Sequence, residues 1–331
     1  MTGGEVRWAI LGTANIARAS FLPGLREAGG GRPELVAGRE LAPAEEFARR
    51  EGVGRAVLGY AAALEDPSVD AVYIALPNSL HAEWTKRALA AGKAVLTEKP
   101  LCLSPGETQG VLQAAWATGA LLWEAFVFPF QAQFRRLGEL LAEGAIGELR
   151  EIQSDFHFRI RAPNIRLEPE LGGGALNDVG CYPLHLGSLL LGGRPTEARA
   201  ARRLGPEGVD METQGLLRYP GGGTLLFSCG MARPYDTFTR LLGSAGEIRL
   251  QNPFHPGPAD ALELRAGGGV RVEHPTVDEH SFSAALRHVH AVLRGECEPE
   301  QLAVETALPT AQALELVRGA AISDLHVRRT T

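Results

Sequence analysis

Three clusters of residues have the types and spacing to do chemistry. Glu98-Lys99-Pro100 closes the apolar run Lys93 to Thr97, which reads as a buried strand, and a proline after Lys99 stops the ladder and holds that lysine in extended backbone. In an open parallel sheet, ligands bind outside the carboxyl ends of the strands, so an ammonium fixed there can reach a cofactor or substrate. Downstream, Asp178, Tyr182 and His185 are spaced i, i+4 and i+7, so one helix would set all three on one face. The glycines Gly172-Gly173-Gly174 before them permit close backbone approach. A phenol can remove a hydroxyl proton during alcohol oxidation if a neighbouring cation favours its phenolate. Tyr182 is therefore read as the base, Lys99 as the cation, and Asp178 as the group that orients substrate or Lys99.

The third cluster follows the first predicted strand. Gly12-Thr13-Ala14-Asn15-Ile16-Ala17 is a relaxed GxGxxG turn, with alanines at the second and third glycine positions. Such a turn brings backbone against a pyrophosphate and presents the N-H groups of a helix start to it. The second strand's tip reads Ala37-Gly38-Arg39-Glu40. Gly38 leaves room and Arg39 supplies charge for a 2'-phosphate, which favours NADP, although Glu40 is an acidic alternative that would accept a ribose hydroxyl of NAD. At the fourth strand's end, Leu76-Pro77-Asn78-Ser79-Leu80-His81 breaks where a dinucleotide would pass. Leu76, Pro77, Asn78, His81, Glu98 and Lys99 thus join Gly12 to Ile16, Gly38 and Arg39 as expected cofactor contacts.

These clusters need elements to position them. The first third alternates apolar runs with amphipathic stretches, as βαβ units do. Strands are predicted at residues 6–11, 34–37, 56–58, 71–76, 94–97 and 121–126, and helices at 16–28, 42–51, 80–91 and 105–118. Ser104-Pro105 with Glu107 carries capping-box chemistry at the last helix start. Beyond, strand-like segments follow one another at 148–159, 196–203, 211–219, 224–232, 240–243, 247–251 and 261–273, with helices at 175–191, 280–294 and 301–323. An α/β fold is expected, with a doubly wound parallel domain over residues 1–122 and an α+β domain with a large, mostly antiparallel open sheet over 123–331.

Composition sets the outer limits. The 331 residues are 45% hydrophobic and 22% charged, with a net charge of -6. That balance disfavours nucleic acid as a partner. No stretch is long enough to span a bilayer and the start lacks a signal-peptide pattern, so a cytoplasmic protein is expected. Cys102, Cys181, Cys229 and Cys297 show no metal spacing, and no metal is expected.

The glycine loop, Ala75 to His81, and Ala91 to Pro100 together resemble the Gfo/Idh/MocA oxidoreductases over essentially the whole chain. The resemblance implies a Rossmann domain, a C-terminal sheet domain, NAD(P) bound between them, and a homodimer or homotetramer formed through that sheet. Pro169 to His185 resembles the family's second signature, an aspartate followed four residues later by histidine or tyrosine. Tyrosine at 182, with Asn164-Ile165-Arg166, looks like the branch of NADP-dependent D-xylose dehydrogenases, dimeric dihydrodiol dehydrogenases and glucose-fructose oxidoreductase. His185 stands where the inositol branch has aspartate, which points toward aldoses, cyclic polyols or diols. Arg166, Asp178, Tyr182, His185 and Lys99 are the implied substrate contacts. One departure stands out: Val127-Phe128-Pro129-Phe130-Gln131 replaces polar residues usual after Glu124-Ala125-Phe126, with Arg159, Arg161 and Arg166 available to offset the loss. A hydrolase using tightly held NAD, and a silent dinucleotide sensor, are the competing readings.

Overall fold

A computed structural model describes residues 4–323. The described chain forms two compact units, one of residues 4–102, 106–131 and 278–305, the other of 103–105, 132–277 and 306–323. The division differs from a single cut after residue 122, because 278–305 returns to the first unit.

The first unit alternates β1 (Val6–Leu11), α1 (Leu22–Ala28), β2 (Gly31–Gly38), α2 (Leu41–Glu51), β3 (Arg55–Leu58), α3 (Tyr60–Glu65), β4 (Ala71–Ile74), α4 (Asn78–Ala90), β5 (Ala94–Thr97), α5 (Pro105–Thr118) and β6 (Leu122–Glu124). Its six strands are parallel in the order β3-β2-β1-β4-β5-β6, so the order reverses beside β1. β4 and β5 are buried at every residue, as strands covered on both faces must be. The short α3 escaped the sequence reading because six residues hold under two turns of helical periodicity.

In the second unit, α6 (Ala132–Ala142) and β7 (Leu149–Arg159) precede α7 (Cys181–Leu191). There follow β8 (Glu197–Leu204), β9 (Asp210–Arg218), β10 (Thr224–Gly230), β11 (Ala232–Gly243), β12 (Gly246–Gln251), β13 (Leu262–Ala266) and β14 (Gly269–Glu273). After α8 (Ser283–Leu293) and α9 (Ala303–Ala320), β15 (Ala321–Ser323) ends the described chain. The nine strands run β14-β13-β12-β11-β7-β10-β9-β8-β15, antiparallel except where β7 meets β10 and β8 meets β15. α7 packs on β7 and β10, burying Ile152, Phe156, Leu225 and Phe227. The predicted strand 261–273 is in fact a hairpin, turned at Gly267 and Gly268, both at positive φ. The predicted helix 301–323 gives up its last three described residues to β15.

α8 belongs to the first unit through specific polar contacts. His290 accepts the Trp8 indole N-H at Nε2 (2.9 Å) and donates from Nδ1 to the Gly29 carbonyl (2.7 Å). Glu27 accepts from the His280 N-H and the Ser283 hydroxyl. Phe282 and Leu286 complete an apolar cluster with Trp8, Phe21 and Tyr73.

Candidate active site

In the first unit, the turn after β1 is built as a cradle. Gly12 has φ of 93°, and its N-H donates to the Ala37 carbonyl at 2.9 Å. A Cβ there would sit 2.9 Å from the Ala75 carbonyl oxygen. Only glycine lets β1, β2 and the end of β4 close around this point. Thr13 and Asn15 are exposed, and the chain then winds through a π turn over Ala17–Phe21 into α1. Exposed backbone at a helix start beside a glycine cradle fits a pyrophosphate, so Gly12 to Ile16 are the residues that would hold one.

At the tip of β2, Gly38 admits no Cβ, which would lie 2.9 Å from Ala44 Cβ. Arg39 and Glu40 are both exposed, and the Arg39 charge reaches the Tyr60 phenol, partly opposing the upward shift that burial imposes on it. Leu76 is buried, and Pro77 and Asn78 begin α4.

His81 does not serve as expected. It is fully buried, with Nδ1 2.8 Å from the Pro100 carbonyl and Nε2 2.9 Å from that of Leu76. Burial lowers its pKa, and the two carbonyls oppose that shift. The neutral ring carries one N-H and donates to one of these two carbonyls; fully buried between them, His81 braces the Lys99 turn against the end of β4 and is withdrawn as a cofactor contact.

The Lys99–Pro100 peptide is cis. Upstream, Glu98 accepts the Tyr73 hydroxyl at 2.6 Å, and Tyr73 stacks on Phe21 with centroids 3.9 Å apart. Downstream, the Leu101 N-H donates to Glu124 at 2.7 Å. Lys99 is half-buried between these anchors. Glu98 is thus a buried brace of the turn.

In the second unit, the segment before α7 is pinned. Asn177 Nδ2 donates to the Gly172 and Gly173 carbonyls, and Asp210 accepts the Leu176 N-H at 2.8 Å. Arg318 from α9 donates to Asn177 Oδ1 (2.5 Å) and to the Leu103 carbonyl (2.8 Å). A π turn over Leu176–Gly180 then leads into α7. Asp178 therefore lies in the π turn and not on the regular α-helical face that simple i, i+4 spacing assumed.

Asp178 Oδ2 lies 2.7 Å from Arg166 Nε, an ion pair by distance whose N-H is not well aligned for a hydrogen bond. Arg166 itself sits on a short 3-10 turn capped by the Asn164 side chain. Tyr182 is 5% exposed and walled by Phe156, Phe254 and His255, with ring centroids at 5.2, 5.0 and 5.6 Å. His185 is buried deeper. Its Nδ1 lies 2.9 Å from Thr310 Oγ1, whose proton goes to the Thr306 carbonyl, so Nδ1 carries the hydrogen in that bond. Burial pushes the His185 pKa down to about 3, which keeps the imidazole neutral. Sequence reasoning missed Thr310, Phe254 and Arg318, which lie too far along the chain for spacing to reveal.

A parallel sheet with a glycine cradle at its switch point defines a dinucleotide-binding domain. Residues 6–126 match the oxidoreductase family with an NAD-binding Rossmann fold, and residues 134–249 match the GFO/IDH/MocA C-terminal domain. The chain belongs to the Gfo/Idh/MocA family. It is 35% identical over 271 residues to an NADP-dependent D-xylose 1-dehydrogenase of Haloferax volcanii, covering 82% of this chain and 83% of that one. It is 33% identical over 317 residues to a dTDP-3,4-didehydro-2,6-dideoxy-alpha-D-glucose 3-reductase of Actinomadura kijaniata, covering 95% of each. A 3-ketoreductase from Actinomadura kijaniata, solved with NADP and TDP-benzene, superposes with a TM-score of 0.89 at 31% identity, over 97% of this chain and 99% of that one. Among the described residues no helix is long and apolar enough to cross a membrane, and no His, Cys, Asp and Glu group is arranged to hold a metal.

Proposed function

We propose that this protein is an NADP-dependent dehydrogenase acting on a ring hydroxyl of a sugar, polyol or cyclic diol, or reducing the corresponding ketone. The observation that carries the reading is Tyr182, a nearly buried phenol in an aromatic wall, four residues beyond an Asp178 already paired with Arg166. When bound, the nicotinamide supplies the hydride chemistry. Tyr182 takes the substrate hydroxyl proton during oxidation, or returns it during reduction. Lys99 is assigned, on the sequence pattern alone, to favour that phenolate by its charge and to hold the same hydroxyl. Asp178, fixed by Arg166, orients a neighbouring hydroxyl, and neutral His185 supports the far side of α7. Gly12 to Ile16 hold the pyrophosphate, and Arg39 receives the 2'-phosphate.

Two exposed arginines favour a second reading. Arg159 and Arg161 have no carboxylate within ion-pair distance among the described residues. Guanidinium groups in that state suit the diphosphate of a nucleotide-linked ketosugar, the substrate class named for the 3-reductase relatives. Self-association through the nine-stranded sheet, where Tyr235 and Phe238 are exposed, belongs to the same reading. So does a reducing, cytoplasmic compartment, which suits four free cysteines.

The test offers aldoses, trans-dihydrodiols and nucleotide-linked ketosugars with NADP(H), then NAD(H), while absorbance of the reduced nicotinamide is followed. Turnover that is lost in Tyr182→Phe, with NADP affinity retained, is the expected result. Near-normal turnover by that variant sinks the assignment of Tyr182. Glycoside cleavage without net reduction would favour the hydrolase.

A further inference from the structure

Glu124 is a buried carboxyl behind Lys99 to which the reading above gives no task. It ends β6 and is 7% exposed. One oxygen accepts the Leu101 N-H at 2.7 Å, and the other is buried with no hydrogen-bond partner. Leu101 follows Lys99 across Pro100. Glu124 therefore grips the downstream arm of the turn, while Glu98 grips the upstream arm through Tyr73. Glu98 and Lys99 are the charged groups Glu124 faces, and the Cys102 thiol feels Glu124 in turn, along with Glu107 and Lys86. A carboxylate with one oxygen buried and unsatisfied is costly. The acid form keeps its carbonyl oxygen for Leu101 and carries no charge into the interior.

We propose that Glu124 is a positioning residue for Lys99: as the neutral acid it holds the Lys99–Pro100–Leu101 turn, and on ionising it draws the Lys99 ammonium toward itself and away from the substrate. The inference rests on the role proposed for Lys99. Burial raises the Glu124 pKa to about 8, with the Leu101 N-H and Lys99 opposing the rise and Glu98 adding to it. The switch therefore falls just above neutrality, and the proton released goes to solvent.

The first measurement needs no substrate. Infrared difference spectra of the full protein, recorded across a pH titration, should show a protonated-carboxyl band that is lost with a midpoint near 8. The band should be missing in Glu124→Gln. In Lys99→Ala its midpoint should move upward, because the ammonium that favours the anion is gone. Absence of the band, or a midpoint unmoved by Lys99→Ala, overturns the proposal whatever becomes of the Tyr182 test. The second measurement is the pH profile of kcat. Wild type should decline through the same midpoint and Glu124→Gln should not; superimposable profiles overturn the proposal. Glu124→Ala, which strips Leu101 of its acceptor, should lower kcat roughly tenfold or more near neutral pH, with Gln restoring most of the loss. Equal turnover by Ala and Gln also overturns it.

Discussion

Acid should loosen the α8 segment from the first unit at one identifiable bond. His290 is 1% exposed, with Nε2 accepting from Trp8 and Nδ1 donating to Gly29. Protonation would put an N-H on Nε2, against the Trp8 N-H, so the bond cannot survive. Burial, the dominant cause, lowers the His290 pKa from 6.5 to about 4. The sign follows from linkage: the unfolded ring takes up its proton on falling through 6.5, the folded ring only near 4, so stability present above 6.5 is lost between the two. Integrating from neutral pH to about pH 5 gives a loss of about 2 kcal/mol, or roughly thirtyfold in the opening equilibrium. The assay is hydrogen exchange of the indole N-H groups, of which the chain has only four. Trp123 is an internal reference, because its indole donates to the Glu300 carbonyl at 3.0 Å, an acceptor that does not titrate. Corrected for intrinsic rates, Trp8 protection should fall roughly thirtyfold over that interval while Trp123 changes far less, and His290→Gln should flatten the Trp8 dependence. Equal loss at both indoles, or none at Trp8, refutes the reasoning.

Gly12→Ala should weaken NADP(H) binding, measured by fluorescence titration, and destabilise the first unit by about 1–2 kcal/mol, since φ of 93° and the Ala75 carbonyl at 2.9 Å both resist a Cβ. Arg39→Gln should lower the NADP-to-NAD affinity ratio roughly tenfold, read from paired titrations; an unchanged ratio removes Arg39 from the 2'-phosphate site. Gly180→Ala would set a Cβ 2.8 Å from Cys229 Sγ and 2.9 Å from Leu176 Cδ1, and should cost about 1–3 kcal/mol in denaturant unfolding while reducing turnover through the Asp178–Tyr182 segment. Arg318→Met frees both Asn177 and the Leu103 carbonyl and should lower kcat with little change in NADP affinity; a wild-type kcat would show that the pinning of the glycine entry is not needed.

The parallel sheet and the glycine turn after its first strand were legible because their causes are local. Apolar runs of strand length with crossover helices specify a parallel sheet, and Gly12 between β1 and a helix start has few other uses. The partners of the site residues were not legible. His81 looked like a cofactor contact because nothing in its neighbourhood shows that Pro100 folds back onto its ring. Arg166 read as a substrate contact, and its pairing with Asp178 depends on a 3-10 turn and a π turn, which period-based reading cannot resolve. Glu124 read as part of a motif, because the sequence does not show which of its oxygens is left without a donor.

The sequence by itself determined the family, the two kinds of sheet and the residue types available for hydride-transfer chemistry, since periodicity and short motifs carry that information along the chain. Tertiary structure decided which side chains are engaged with one another: His81 with two carbonyls, Glu98 with Tyr73, Asp178 with Arg166, and the 278–305 segment with the first unit through His290. Those outcomes depend on burial and on contacts between residues up to 282 positions apart, and desolvation and long-range pairing leave no local signal in a sequence.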